Sequence, residues 1–289
     1  MQRWLSDPPP EQFFEIAEYS LAWASPRNAA QQRLEKLAER GLVASPSAPN
    51  VLKPQLYRDA LPRVVEGSRG KPGTAALAIP DYATRMAILD FEQFPENETE
   101  ALALLRFRLR KSVPFHIEEA QVAYAVQLAE PQRTEVLAVA IARPILDEYE
   151  GMLAEAGYRV GLVMPSTIAA LPLCSATQEG ITLFAKSTGS TLAMLLVEQG
   201  RVRLVRSLDL TSEQDAVVPT LQQTLAFAED QLGQPVRQIV LAGFGEETTN
   251  LGHRIERNFR IHCEPLRSRF GTALRENAGV LGLLERYAA

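Results

Sequence analysis

Residues 186–190 read Lys-Ser-Thr-Gly-Ser between two apolar runs. Three hydroxyls, a glycine and an amine within five positions are groups that could bind phosphate. The hydroxyls donate to its oxygens, glycine lets backbone N–H groups approach, and lysine supplies a point charge. The same string is also an ordinary polar hairpin turn. The pattern GxxxxGK[ST] is absent, so no P-loop lies behind it. Other chemistry is sparse. Cys174 and Cys263 form no CxxC pair, and His116, His253 and His262 lack metal-ligand spacing, so no metal site is expected. His262 beside Cys263 suggests a dyad, but adjacent side chains on a strand point to opposite faces. There is no GxSxG elbow, and Glu118 and Glu119 have no matched acid–base partner, so no catalytic residue is assigned.

The 289 residues, 46% hydrophobic and 22% charged, describe a globular chain with material for real cores. A net charge of -5 argues against nucleic acid as a general partner. The first residues lack a basic stretch followed by an apolar one, so no signal peptide is read. Apolar runs such as VLAVAIA (136–142) fall far short of the roughly 20 residues that span a bilayer. The expectation is a cytoplasmic protein that meets membrane only through a partner.

The elements that must position these groups follow from periodicity and punctuation. QFFEIAEYSLAWA (12–24) reads as a strand pair kinked at Glu18. NAAQQRLEKLAERG (28–41) is polar and helix-prone, with Gly41 as its C-cap. A helix is expected near 54–66, and GSRGKPG (67–73) is the strongest boundary signal of the first half. TAALAIP and RMAILDF are expected to pair around DYAT. Asn97 is placed to N-cap a helix with Glu100 at N3, running to about Ser112. QVAYAVQLA and TEVLAVAIA pair around EPQR, and Pro144 opens a helix closed by Gly157. Residues 74–142 thus form a strand–strand–helix–strand–strand insert, with 1–73 and 143–165 as the first lobe and 166–289 as the second. The second lobe opens with a short helix in PSTIAALPLC and a meander of ITLFAKS, STLAMLLVE and RVRLVRSL, turning at STG and EQG. A helix over 213–232 follows, with Pro219 near its first turn. VRQIVLAG is a strand, GFGEE turns into a helix, FRIHCEP is a strand, and VLGLLERY lies in a final helix.

This order resembles the actin-like ATPase superfamily in its FtsA branch, and most closely the PilM proteins of type IV pilus assembly. The motifs that carry the resemblance are a strand ending in Pro80-Asp81, a helix ending in Lys111 before Pro114-Phe115, and a strand with Glu119, Ala120 and Tyr124. It covers about residues 12–286. It implies an α/β, two-lobed fold around a nucleotide cleft, with an inserted αβ subdomain in the first lobe. It also implies a cytoplasmic protein, peripheral at the inner membrane, that holds the short N-terminal tail of a small bitopic partner (PilN in pilus systems). The resemblance leaves open self-association, and a type II secretion platform instead of a pilus.

In actin-like ATPases two hairpins, each with an Asp and glycines, hold the metal and phosphates, and a later glycine pair admits adenosine. At the first hairpin the family's D-I-G falls on Glu15, Ile16 and Ala17, followed by Glu18. At the second, Asp and Gly fall on Ala185 and Ser187 with Lys186 between them. A shift of two puts them on Ser187 and Gly189. The glycine pair is nearest to Gly243 and Gly245, split by Phe244. All three parts are altered. The resemblance therefore implies a degenerate cofactor site of Glu15, Lys186, Ser187, Thr188, Gly189, Ser190, Gly243 and Gly245, with no cofactor expected and no turnover. The alternative is an active Mg-ATPase in which Glu15 organises the metal's water shell, aided by Lys186, and gates partner binding.

In the helix ETEALALLRFRLRKS (98–112), Ala101, Leu102, Leu105 and Leu109 share one stripe suited to the insert's own sheet. Leu104 and Phe107 fall off that stripe, and Arg106 and Arg110 sit one turn apart beside it. Leu104 and Phe107 either pack against the first lobe or line a groove for the partner's tail, flanked by arginines that pair with acidic residues. Leu104, Arg106, Phe107 and Arg110 are the candidate partner-binding residues. With Arg108 and Lys111, the basic residues here read as a solvated face rather than a nucleic-acid site.

Overall fold

Gln12–Ala17 (β1) and Ser20–Ala24 (β2) pair antiparallel around Glu18, as their pattern predicts. The structure, a computed structural model, describes residues 9–67, 72–174, 180–210 and 217–288. Gln32–Lys36 (β3) extends this hairpin, Pro54–Val64 (α1) covers it, and Thr74–Ile79 (β4) pairs parallel with β1. Arg85–Phe91 (β5), Glu98–Leu109 (α2), Ala120–Glu130 (β6) and Arg133–Ala142 (β7) come next. Arg143–Ala154 (α3) and Arg159–Pro165 (β8) return to the first sheet, whose order is β3-β2-β1-β4-β8. After the short Ser166–Ala170 (α4), Ile181–Thr188 (β9), Thr191–Glu198 (β10) and Arg201–Asp209 (β11) form the meander. Val217–Leu232 (α5), Val236–Ala242 (β12), Glu247–Phe259 (α6), His262–Pro265 (β13) and Ala278–Tyr287 (α7) complete the chain. The second sheet runs β11-β10-β9-β12-β13, and the third β5-β7-β6.

Three sequence expectations fail for physical reasons. Within 28–41 no α-helix forms and Gln32–Lys36 is strand: β2 offers an open edge, and Leu34 pairs opposite Ala22 while Arg33 and Glu35 pair opposite Trp23 and Leu21. Backbone pairing outweighs the helix propensity of QRLEK. Gly41 is accordingly no C-cap. A Cβ there would sit 2.6 Å from the Tyr57 ring, whose hydroxyl donates to the Ala17 carbonyl at 2.8 Å. Thr74–Ile79, grouped with the insert from sequence, lies between β1 and β8, and it does not pair with β5. Its buried run TAALAI is that of a parallel strand covered on both faces. The three-stranded insert therefore begins beyond Pro80. Residues 68–71 of the GSRGKPG boundary and 211–216 at the start of the expected long helix lie outside the described residues.

Each lobe's sheet is covered twice. Tyr57, Ala60, Leu61 and Val64 of α1 and Tyr149 of α3 pack on Phe14, Ile16 and Leu77. α5 and α6 pack Leu221, Leu225 and Ile255 against Leu183, Ala185 and Met194. The remaining faces of both sheets share a single core: Phe13, Ala76 and Ala78 from the first meet Phe184, Leu195 and Val240 from the second, together with Leu281 and Leu284 of α7. α7 returns to β1 and β2 and packs on α4, so the last helix of the chain covers the first sheet.

In the insert, Asn97 caps α2, its side chain accepting from Thr99 N and Glu100 N. Leu105 and Leu109 are buried against Val122, Val136 and Ala138, and Ala101 is buried as well. Leu104 packs at the edge of this same cluster rather than on the first lobe, and Phe107 is 73% exposed. Leu105→Ala should therefore lower unfolding free energy by about 2–5 kcal/mol, while Phe107→Ala should stay within roughly 0.5 kcal/mol, as read by urea denaturation.

Candidate functional site

The alternation of β1 places Phe13, Glu15 and Ala17 on the face turned toward the second lobe. That of β9 places Phe184, Lys186 and Thr188 toward the first. Glu15 and Lys186 are both wholly buried, and their charged atoms meet at 3.4 Å across the shared core. Ser166, the first residue of α4, donates its hydroxyl to Glu15 Oε1 and accepts from Lys186 Nζ at 2.6 Å. Lys186 also donates to Thr188 Oγ1 and, at 3.5 Å, to the Arg275 carbonyl. The other carboxylate oxygen of Glu15 accepts from Gly279 N at 2.7 Å and Val280 N at 3.1 Å, the orphan donors of the first turn of α7. A Cβ on Gly279 would lie 3.0 Å from that oxygen, so glycine permits the approach.

Asp81, from the Pro-Asp motif, is buried alongside. It accepts from Thr167 N and, at 2.8 Å, from Thr167 Oγ1. Burial pushes its carboxyl above the usual range, against the pull of Lys186 and the Thr167 donors.

The two hairpin turns also meet. Glu18, 4% exposed, accepts from Ser190 N at 3.2 Å and Ser190 Oγ at 2.9 Å, and pairs with Arg40 at 2.9 Å. The turn itself is only Gly189 and Ser190. Lys186, Ser187 and Thr188 belong to β9, paired with Ala193, Leu192 and Thr191. Beside it opens a cleft of about 850 Å³ lined by Ser187, Gly189, Ser190, Lys36, Arg254 and Phe244 among others. Gly243, with φ +80, leaves no room for a ligand at its α-carbon: a Cβ would lie 2.0 Å from the Ser187 carbonyl. Gly245 faces open space.

This arrangement does not fit magnesium and a triphosphate. Glu15, the carboxylate that the resemblance would have organise a metal, is saturated by an ammonium, a hydroxyl and a helix N-terminus, and the Ser190 N–H and hydroxyl of the second turn are held by Glu18. Among the described residues no group of three His, Cys, Asp or Glu side chains could hold a metal. The structure thus brings Glu15, Lys186 and Thr188 together, sets Ser187, Gly189 and Ser190 along the cleft, and uses Gly243 for packing. Ser166, Asp81, Thr167, Arg40 and Gly279 were not singled out for these roles. Only Asp81, in its Pro-Asp motif, and Glu18, as a charge beside the first hairpin, carried a signal.

A second concavity of about 320 Å³ lies between the first lobe and the insert. Pro49 from the first lobe, Pro114, Phe115 and His116 from the insert, and Pro144 and Glu148 of α3 line it. Leu104, Arg106, Phe107 and Arg110 do not. Arg110 pairs with Glu118 instead, and Arg108 lies 5.0 Å over the Phe91 ring. Cys174 and Cys263 are free, and burial pushes both thiols up to about 12. His262 faces Glu256 at 3.3 Å, so no nucleophilic dyad forms.

No family model matches the chain, and no curated protein sequence does. Solved structures do. A PilM–PilN type IV pilus biogenesis complex is similar over 98% of this chain and 100% of the other, with TM-score 0.79 and 17% identity. A Bacteroides thetaiotaomicron protein of unknown function with an actin-like ATPase fold matches over 94% of each chain, with TM-score 0.53 and 15% identity. The cytoplasmic domain of EpsL, an inner-membrane component of the Vibrio cholerae type II secretion system, covers 80% of each at TM-score 0.47 and 12% identity. The chain has the actin-like ATPase fold, in a form similar to PilM. No helix among the described residues is long and apolar enough to cross a membrane.

Lys186→Met should destabilise the protein by about 3–5 kcal/mol, because it strands a buried carboxylate. Pairing it with Glu15→Gln should recover part of that loss in a double-mutant cycle. Both thiols should react with a disulfide reagent at pH 8 about a thousandfold more slowly than free cysteine, since only the thiolate attacks. Labelling should reach the free-thiol rate on denaturation.

Proposed function

We propose that this chain is a scaffold of a type IV pilus inner-membrane assembly platform, cytoplasmic and peripheral at that membrane. It holds the short N-terminal cytoplasmic tail of a bitopic PilN-like protein and does not turn over ATP. The observation that carries this reading is the end-to-end similarity to the PilM–PilN structure, which includes the inserted αβ subdomain. The lack of turnover is supported separately by the buried pair of Lys186 with Glu15.

We assign the tail to the concavity between first lobe and insert. Three prolines and the half-buried Phe115 supply an apolar wall that suits an extended segment, and Arg143 and His116 at its rim suit an acidic residue of that segment. A second reading keeps the tail on the exposed ring of Phe107 with Arg106 and Arg110, and its motive is the 73% exposure of that ring.

A fluorescent peptide of the tail encoded beside this chain's gene separates the two. Phe115→Asp should weaken binding by at least about tenfold, the scale of a lost apolar anchor, with Phe107→Glu unchanged. The opposite pattern moves the tail to α2, and wild-type protein that fails to bind the tail overturns the scaffold reading. Millimolar Mg-ATP should leave the melting temperature unchanged. A bound ligand at 100 times its dissociation constant adds about 2.7 kcal/mol and shifts it by several degrees. Such a shift accompanied by phosphate release establishes the active ATPase instead.

A further inference from the structure

Phe107 is the most exposed large apolar side chain among the described residues. The fold does not call for it, because α2 already buries Ala101, Leu105 and Leu109 on its other side. Its neighbours are of one charge. Residues 106–111 carry four cations and no acid, in a chain with 35 acidic residues against 30 basic ones. Arg110, three positions on and still helical as the C-cap, lies beside Phe107 on the exposed face, and Lys111 follows in the closing turn. Among the described residues Arg110 alone of the four pairs with a carboxylate, that of Glu118. The acids of α2 itself, Glu98 and Glu100, stand in its first turn. Seven positions of rise from Glu100 to Phe107 are roughly 10 Å, about a screening length in physiological salt. Cations in a last turn also suit the helix dipole, but the dipole gives no reason for an aromatic ring among them.

We propose that the C-terminal half of α2 is a direct lipid contact, in which Phe107 enters the headgroup layer of an anionic membrane while Arg108, Arg110 and Lys111 meet lipid phosphates. One ring is too little apolar surface for a stable protein interface, which buries roughly 800 Å² on each side. At a bilayer surface it suffices, because the ring seats at the acyl boundary and each cation adds its own attraction to anionic headgroups. The long stems of arginine and lysine lie along the apolar layer with their heads in the polar one. Position agrees with charge. The segment leaving α2 lines the concavity assigned to the tail, through Pro114, Phe115 and His116. A tail that comes from a membrane-anchored protein reaches this concavity from the bilayer, so the adjoining end of α2 is turned toward the same surface. The lipid contact is weak alone and gains once the tail is held, since the two attachments then act together.

The proposal rests on the scaffold reading for the direction in which the membrane lies; the patch itself is independent of it. The full chain is sedimented with vesicles of equal parts phosphatidylglycerol and phosphatidylcholine, and with vesicles of phosphatidylcholine alone. Wild type should partition onto the anionic vesicles, less so as salt is raised, and stay free of the neutral ones. Arg108→Gln with Lys111→Gln should lower the partition coefficient by at least about tenfold, the scale of two lost cations at a charged surface. Phe107→Ser should lower it by about fivefold or more, as a ring leaves the apolar layer. Phe107→Trp should retain binding, with a blue shift in emission on anionic vesicles that wild type, carrying Trp4 and Trp23, does not show. Wild type that ignores anionic vesicles overturns the proposal, as does equal binding to neutral ones, or binding that survives both the charge and the Phe107→Ser variants. A soluble tail peptide that displaces the vesicles assigns α2 to the tail and overturns the lipid contact equally. Failure of that peptide to bind at all counts against the scaffold reading, and the vesicle measurements still judge the lipid contact by themselves.

Discussion

A glutamate and a lysine, both without solvent exposure, face each other across the core that the two lobes share, and the placement of several other elements follows from keeping them there. At 3.4 Å and an effective dielectric near 20 their attraction is about 5 kcal/mol. Desolvation costs several kcal/mol for each ion, so the contact alone does not sustain the pair. The surrounding groups decide the balance. Ser166 bridges both partners, Thr188 accepts from the amine, and α7 supplies two backbone N–H donors to the carboxylate. Those donors come from the far end of the chain. The last helix is thereby docked on the first strand, and the first sheet gains its cover.

The same arrangement bears on chemistry. A carboxylate that organises a metal's water shell must keep lone pairs free toward the cleft, and Glu15 has none to spare. A hairpin that cradles phosphate must keep its N–H free, and Ser190 has given its own to Glu18. The cleft persists as a shape, and Glu15, Lys186 and Glu18 beside it are engaged in contacts between the lobes.

The insert is braced in two directions. Gln127 on β6 donates to the Val202 carbonyl at 2.9 Å and accepts from its N–H at 2.7 Å, covering a stretch of the edge strand β11. Buried Glu135 on β7 faces Arg203 at 3.6 Å. Leu137 and Ile88 turn from the insert's sheet into the shared core. α2 covers the opposite face of that sheet, which is why its stripe is buried while Phe107 is left in solvent. The concavity at 114–116 and 142–148 lies where the insert departs from the first lobe.

Periodicity and punctuation by themselves determined the β1–β2 and β6–β7 hairpins, the capped helix after Asn97, the meander and the order of elements that resembles an actin-like protein. These are local matters, settled by side chains within a few positions of one another. Sequence also singled out Glu15 and Lys186 as candidate cofactor residues and Glu18 as a charge beside the first hairpin. It could not say that the first two are partners 171 positions apart, because the pairing is made by two strands whose faces meet only once both lobes have folded. Nor could it make QRLEK a strand or detach TAALAI from the insert. Each depends on an open sheet edge or a double cover supplied by distant segments. Only the tertiary structure decided those points, since hydrogen-bond satisfaction and burial are properties of the assembled sheets.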